Sequence, residues 1–249
     1  MVFEFKFLKK VKINNAILIE GLPGIGNVGK LTSDFLIESL DAEKIIDIRT
    51  YDLPNAVFVN EDSVVELPSL AIYYKKQPKN DLLILAGDVQ PLDERACYEF
   101  CDSLLKFLKK NNVKEIIALG GIGLGTEPIE PKVYSASNDK RITSRYKHKN
   151  LTHDIFGIVG PIVGVTGILP ALAKDYNIPS IILLAETLGH PGYIGIKGAR
   201  AILQILKEKF NLKLDLKQMD EEITELEKEM KTKDLTKIAK KSSGIDYIG

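Results

Sequence analysis

Cysteine is nearly missing from this chain: Cys97 and Cys101 are the only two in 249 residues. No second pair exists to complete a zinc site, so no metal centre is expected. Four apart in a helical pattern, they read as two buried thiols in a reducing cytoplasm. Net charge is missing too. The 34 Lys and Arg balance 34 Asp and Glu, which removes the overall field that a nucleic acid or an anionic membrane would exploit. Nor does any apolar stretch reach the ~18 residues of a membrane span. Met1 to Lys12 interleaves charges with aromatics instead of building an apolar signal core. These absences predict a soluble, cytoplasmic protein with neither nucleic acid nor membrane as partner. With 45% hydrophobic and 27% charged residues, the chain can bury one large core and carry a small appendage.

The densest motif is Gly21-Leu22-Pro23-Gly24-Ile25-Gly26-Asn27-Val28-Gly29-Lys30. It follows an apolar run, Ala16 to Ile19, and leads into a helical pattern, Leu31 to Leu40, which is the strand, turn and helix context of a phosphate loop. Gly24, Gly26 and Gly29 fit GxGxxG, but the next candidate strand, Lys44 to Thr50, ends in Arg49-Thr50 rather than in a ribose-binding carboxylate. Gly24 to Lys30 also fits GxxxxGK, yet Leu31 stands where a hydroxyl must reach magnesium. Both nucleotide signatures are incomplete. The plainer reading is a tight turn whose glycines bring a helix close against a sheet; the possible ligand loop is Gly24, Gly26, Asn27, Gly29 and Lys30, with no cofactor implied.

Strand and helix patterns alternate downstream. Ala56 to Tyr74, broken by Pro68, reads as a hairpin, and Asp81 to Ala86 as a buried strand leading to a helix capped by Asp93, with Ala96, Phe100, Leu104, Leu105 and Leu108 on one face. Val113 to Leu119 is a strand that opens into a second glycine loop, Gly120 to Gly125. A polar stretch from Pro128 to Asp154 gathers Lys140, Arg141, Arg145, Lys147 and Lys149 around Tyr134 and Tyr146. Ile155 to Val159 reads as a strand, Ile168 to Tyr176 as a helix, Pro179 to Glu186 as a buried parallel strand, and Ile194 to Phe210 as a long helix. The alternation predicts a three-layer α/β/α domain over residues 1–212.

The last segment differs in kind. Residues 213–241 are dense in Lys and Glu, and Leu216, Met219, Ile223, Leu226 and Met230 repeat at three and four, predicting a projecting amphipathic helix. Ser242-Ser243-Gly244 breaks it, leaving residues 242–249 as a flexible tail with Ile245, Tyr247 and Ile248 before Gly249.

The opening Glu20 to Gly29, together with Leu119 to Gly125, Gly157 to Gly167 and Glu186 to Gly192, resembles the archaeal proteasome assembly chaperone family over roughly residues 12–210. The resemblance implies a nucleoside phosphorylase-like fold with a mixed sheet between helices, and a homo-oligomeric, non-enzymatic chaperone whose partners are 20S proteasome α subunits. It also gives the tail a role, because proteasome activators and some of these chaperones end in a hydrophobic residue, a tyrosine and any last residue. Ile245, Tyr247, Ile248 and Gly249 are the implied partner-binding residues, although Tyr247 stands one place earlier than that pattern and Ile248 holds the tyrosine position. The competing enzyme reading assembles Asp88, Glu127, Glu186 and His190 at strand ends, with Asn27 and Lys30, for phosphorolysis or hydrolysis. A third reading is a nucleotide-binding regulator using the amides of Gly24 to Gly29.

Overall fold

The computed structural model describes residues 3–91, 93–157 and 159–225. The chain divides into two compact units, Met1–Leu214 and Asp215–Gly249. In the second, residues 217–225 are helical, and Asp215 accepts from the Lys217 amide at 3.0 Å just ahead of that turn. Leu226, Met230 and the tail residues Ile245, Tyr247, Ile248 and Gly249 lie outside the described residues.

In the first unit, nine strands of the described residues form one mixed sheet. They are β1 (Glu4–Phe7), β2 (Ile17–Gly21), β3 (Glu43–Arg49), β6 (Leu70–Lys75), β7 (Leu82–Gly87), β8 (Glu115–Leu124), β9 (Val133–Ser137), β10 (Leu151–Thr152) and β11 (Ser180–Leu188). A separate two-stranded ribbon carries β4 (Phe58–Val59) and β5 (Val65–Glu66). The order across the sheet is β1-β3-β6-β7-β2-β8-β11-β9-β10. β7, β2, β8 and β11 are mutually parallel at its centre; β6 and β9 flank them antiparallel. Central parallel strands are covered on both faces, which is why β2 and β7 are buried at every position rather than at alternate ones.

Helices cover both sides. On one face α2 (Glu94–Lys110) packs with α4 (Val165–Leu172), and on the other α1 (Val28–Leu40) packs with α5 (Ile196–Phe210). Leu18, Leu83, Leu85 and Ile116 share a core with Phe100, Leu104 and Leu105 of α2 and with Val165 and Leu169 of α4. Their strand neighbours Ile17, Ile19, Leu82, Ile84 and Ile117 are equally buried and point the other way, toward α1 and α5. The three-layer α/β/α sandwich with a mixed sheet is therefore what the chain forms. Each fully buried Leu or Ile contributes about 1.5–3 kcal/mol.

Local chemistry explains the best-defined elements. Asp93 caps α2 by accepting from the Ala96 amide at 2.9 Å, Glu94 sits in the first turn, and Lys109 and Lys110 in the last, all with the sign the helix dipole favours. Three readings of the sequence are corrected. Gly120 to Leu124 is not a loop but the second half of β8, held in register against β11 as far as Leu124 opposite Leu188. The neighbouring strand supplies the hydrogen bonds whatever the glycines' own preference. The polar stretch 128–154 carries β9, α3 (Lys140–Arg145) and β10. The strand expected at 155–159 falls instead at Leu151–Thr152, and Ile155 and Val159 pack against Ala118, Ile182 and Leu184.

Candidate functional site

The four central strands end at one edge, where the loops to α1, α2, β9 and α5 leave the sheet, and in open α/β sheets this is where ligands gather. The first of these loops is a single tight turn, Ile25–Asn27. Gly26 (φ 60°) and Asn27 (φ 50°) are left-handed, the first at little cost because it is glycine. The turn lies directly on β8: a Cβ on Gly121 would stand 2.3 Å from the Ile25 carbonyl oxygen, and one on Gly29 2.6 Å from that of Leu119. Around Gly24, by contrast, a Cβ would meet nothing within 4 Å. The Asn27 amide donates to the Gly24 carbonyl at 2.9 Å and the Val28 amide to Ile25, so two of the amides a phosphate would need are bonded inside the turn.

The remaining candidate residues fall into separate groups. Lys30 reaches Asp34, one turn further along α1, at 3.0 Å and Asp88 at 3.7 Å. Asp88 also accepts from the Ser69 hydroxyl at 2.7 Å and the Ser69 amide at 3.0 Å. Burial pushes its carboxyl up, but these two bonds and the Lys30 charge outweigh burial and hold it below the usual range. Glu127 and Glu186 come together across a recess of about 140 Å³ that Thr187, Tyr193 and Lys197 complete. That volume takes in open solvent and almost none of it is enclosed, against the roughly 300–1,000 Å³ of an ordinary small-molecule site. Both carboxylates are engaged: Glu127 pairs with Lys197 at 3.1 Å and with the Tyr193 hydroxyl, and Glu186 accepts from the Lys132 amide at 2.9 Å and the Tyr134 hydroxyl at 3.1 Å. Burial first, then the Glu127 bond, pushes the Tyr193 hydroxyl upward. His190 is exposed and makes no side-chain bond to Glu186, while Asn27 is exposed and caps nothing.

The basic residues lie at the opposite end of the sheet. Arg145 pairs at 2.7 Å with Glu115, the first residue of β8, and the Tyr146 hydroxyl donates to the same carboxylate. Lys209 of α5 covers the Tyr146 ring at 4.5 Å. Arg141 is bound to its neighbour Asp139 at 2.6 Å. None of these groups approaches Lys30.

One carboxyl was not singled out from the sequence. Glu20, in β2 immediately before the glycine loop, is fully buried. Its Oε1 accepts from the Leu22 amide at 3.1 Å and, at a long 3.5 Å, from the Thr166 hydroxyl; its Oε2 has no partner. Burial pushes this carboxyl up to about 7. The available signal was a Glu inside a strand that is otherwise apolar. Gln90 stitches the same region, donating to the Pro23 carbonyl at 2.7 Å and accepting from the Val165 amide at 3.1 Å. The loops at this edge also expose Ile25, Ile129, Phe156, Val163 and Ile194 to solvent. The Thr187 hydroxyl at the recess is likewise buried without a partner, so the edge combines paired polar clusters, two unpartnered buried oxygens and a good deal of apolar surface. Among the described residues no three His, Cys, Asp or Glu side chains meet as a metal set, and no helix is long and apolar enough to cross a membrane.

Comparison with known proteins gives a consistent picture. The fold is shared with PbaB of Pyrococcus furiosus, an archaeal proteasome activator, at 30% identity and a TM-score of 0.85 over 93% of this chain and 98% of that one. It is shared as well with PbaA of the same organism, an archaeal homolog of proteasome-assembly chaperone, at 23% identity and a TM-score of 0.75 over 96% and 95% of the two chains. An uncharacterized protein of Methanocaldococcus jannaschii is 31% identical over 226 residues, 88% of this chain and 85% of its own. The model of the PAC2 family matches residues 18–233, nearly all of the α/β unit and part of the segment beyond it, and the chain belongs to that family.

Proposed function

We propose that this protein is a cytoplasmic, non-enzymatic proteasome assembly chaperone or activator that forms a homo-oligomer and engages 20S α subunits through its C-terminal helix and tail. The observation that carries the reading is the likeness to PbaB, which extends over nearly the whole of both chains at the higher of the two identities. The carboxyl edge is compatible with it, since Lys30 pairs with Asp88 and Lys197 with Glu127, and the recess beside Glu127 and Glu186 is small. Several tails projecting from one oligomer would gain avidity from weak individual contacts, giving the reversible binding an assembly factor needs.

Native mass spectrometry with purified proteasome α subunits tests this. The full-length chain is expected to form a complex, and a chain ending at Gly244, lacking Ile245 to Gly249, to lose most of it while keeping its fold and subunit number. Equal binding by the shortened chain would move the contact to the body or the helix; no binding by either would end the chaperone reading. A thermal-shift series separates the enzymatic alternative. Phosphate, ATP and nucleosides are expected to leave the melting temperature within about 1 °C, whereas a ligand present at 100 times its Kd would add about 2.7 kcal/mol of stability. A clear upward shift with any of them would point to a live pocket.

A further inference from the structure

The apolar faces of α1, α2, α4 and α5 are covered by the sheet, so the surface available for association lies elsewhere. Between β3 and β6 the chain leaves the sheet as the β4–β5 ribbon, with Phe58 opposite Glu66 and Val59 opposite Val65. The ribbon is a built element. Asn60 accepts from the Val64 amide at 2.9 Å and the Asp62 amide at 3.1 Å, and donates to Glu66 at 2.8 Å, which fixes the turn. Yet residues 55–67 are all exposed. Phe58 is 45% exposed, Val59 66%, Val65 65% and Leu67 80%, and Val57, Val64 and Tyr51 add to the patch. Val59 and Val65 share one face of the ribbon and Phe58 the other, and the seven side chains together present on the order of several hundred Å² of apolar surface. A two-stranded ribbon is marginal in water by itself, and an apolar one calls for a surface to lie on.

Charge favours a basic surface. Residues 51–67 include Asp52, Glu61, Asp62 and Glu66 and no Lys or Arg. Two ribbons meeting about a two-fold axis would therefore bring only like charges together. Residues 140–149 carry Lys140, Arg141, Arg145, Lys147 and Lys149, all exposed; Arg141 is engaged by Asp139 and Arg145 by Glu115, which leaves Lys140, Lys147 and Lys149 to meet acidic groups. The ribbon rises next to Ser69, which is bonded to Asp88 beyond the carboxyl end of β7, whereas Arg145 is tied to Glu115 at the amino end of β8. One chain cannot bring its own ribbon onto its own basic segment.

We infer that the β4–β5 ribbon of one copy docks on the 140–149 segment of a second copy, a head-to-tail contact that builds the homo-oligomer. The inference deepens the self-association in the proposed function, and its readout is subunit number rather than proteasome binding. Sedimentation equilibrium of the full-length protein at low micromolar concentration is expected to show an oligomer that weakens in 0.5 M salt. Phe58→Ser with Val65→Ser, both at exposed positions, should raise the dissociation constant at least tenfold with unchanged circular dichroism. Glu61→Lys with Asp62→Lys should do the same, and adding Lys147→Glu with Lys149→Glu to that chain should restore association. A monomeric wild type, ribbon variants that keep their mass, or charge reversals without rescue would each overturn the inference. Loss of α-subunit binding with the oligomer intact would also overturn it, assigning the ribbon to the α subunit. An oligomer that responds as expected in a protein that binds no α subunit would sustain the inference while the chaperone reading fails.

Discussion

Replacing Glu20 by glutamine is expected to leave stability nearly unchanged at pH 4 and to raise it by about 3 kcal/mol at pH 9. The carboxyl is wholly inside the protein, and burial pushes it from 4.5 to about 7, with the Leu22 amide, Thr166 and the backbone at Leu119 pulling the other way and the Cys97 thiol of α2 adding to the rise. A carboxyl that holds its proton more tightly folded than unfolded favours the fold at low pH. That advantage is lost as pH climbs from about 4.5 through 7, and above that range the fold carries a buried charge with an unpartnered oxygen. Glutamine keeps the acceptor for the Leu22 amide and has the shape of the neutral acid without its ionisation. Urea unfolding at a series of pH values reads the effect, and at this chain length the gain corresponds to a melting point higher by roughly 6–12 °C. Parallel stability curves for the two proteins between pH 4 and 9 would mean that Glu20 does not change its protonation on folding in that range.

Gly29→Ala should produce an effect of similar size and opposite sign. In an ordinary helix the change stabilises by about 1 kcal/mol. Here the added methyl would stand 2.6 Å from the Leu119 carbonyl oxygen and 3.2 Å from that of Leu22. Neither is the movable end of a side chain, so α1 must lift off β8, and a loss of about 2–3 kcal/mol is expected. Gly24→Ala is the control. Its backbone is extended (φ −160°) with open space around it, and it should stay within about 0.5 kcal/mol. Equal losses at the two positions in chemical denaturation would show that the motif's glycines are not distinguished by packing against β8.

The layout of the domain was legible wherever a pattern served burial alone. The continuous apolar runs of β2, β7 and β11 and the stripe of α2 with its Asp93 cap could be read because a strand covered on both faces and a helix covered on one each leave a simple record. The edges left weaker ones. β1 was hidden in a stretch alternating charges with aromatics, and what makes it a strand is non-local: it pairs with β3, and Phe5 stacks on Phe107 of α2 with ring centres 5.1 Å apart. Gly120, Gly121 and Gly123 looked like a loop because glycine disfavours strands, yet the register with β11 holds them extended. The candidate site was legible in composition and not in pairing. Lys30 has Asp34 four residues on, a spacing visible in sequence, but its second partner Asp88 arrives only through the adjacency of β2 and β7. Glu20 stood out only as an acid in an apolar strand; what encloses it, α2 and α4, comes from distant parts of the chain.

The place of β2 in the sheet also bears on how the chain emerges during synthesis. It is made early, but its neighbours come later: one edge waits for β7, complete at Gly87, and the other for Glu115 to Ala118 of β8. The antiparallel set β3, β6 and β7 can zip locally in order, while β2 must enter beside it from the amino-terminal side of the chain. Every nascent chain that stops short of Ala118 carries an apolar strand, Ile17–Gly21, with at least one open edge, of the kind that recruits chaperones or pairs with the wrong partner.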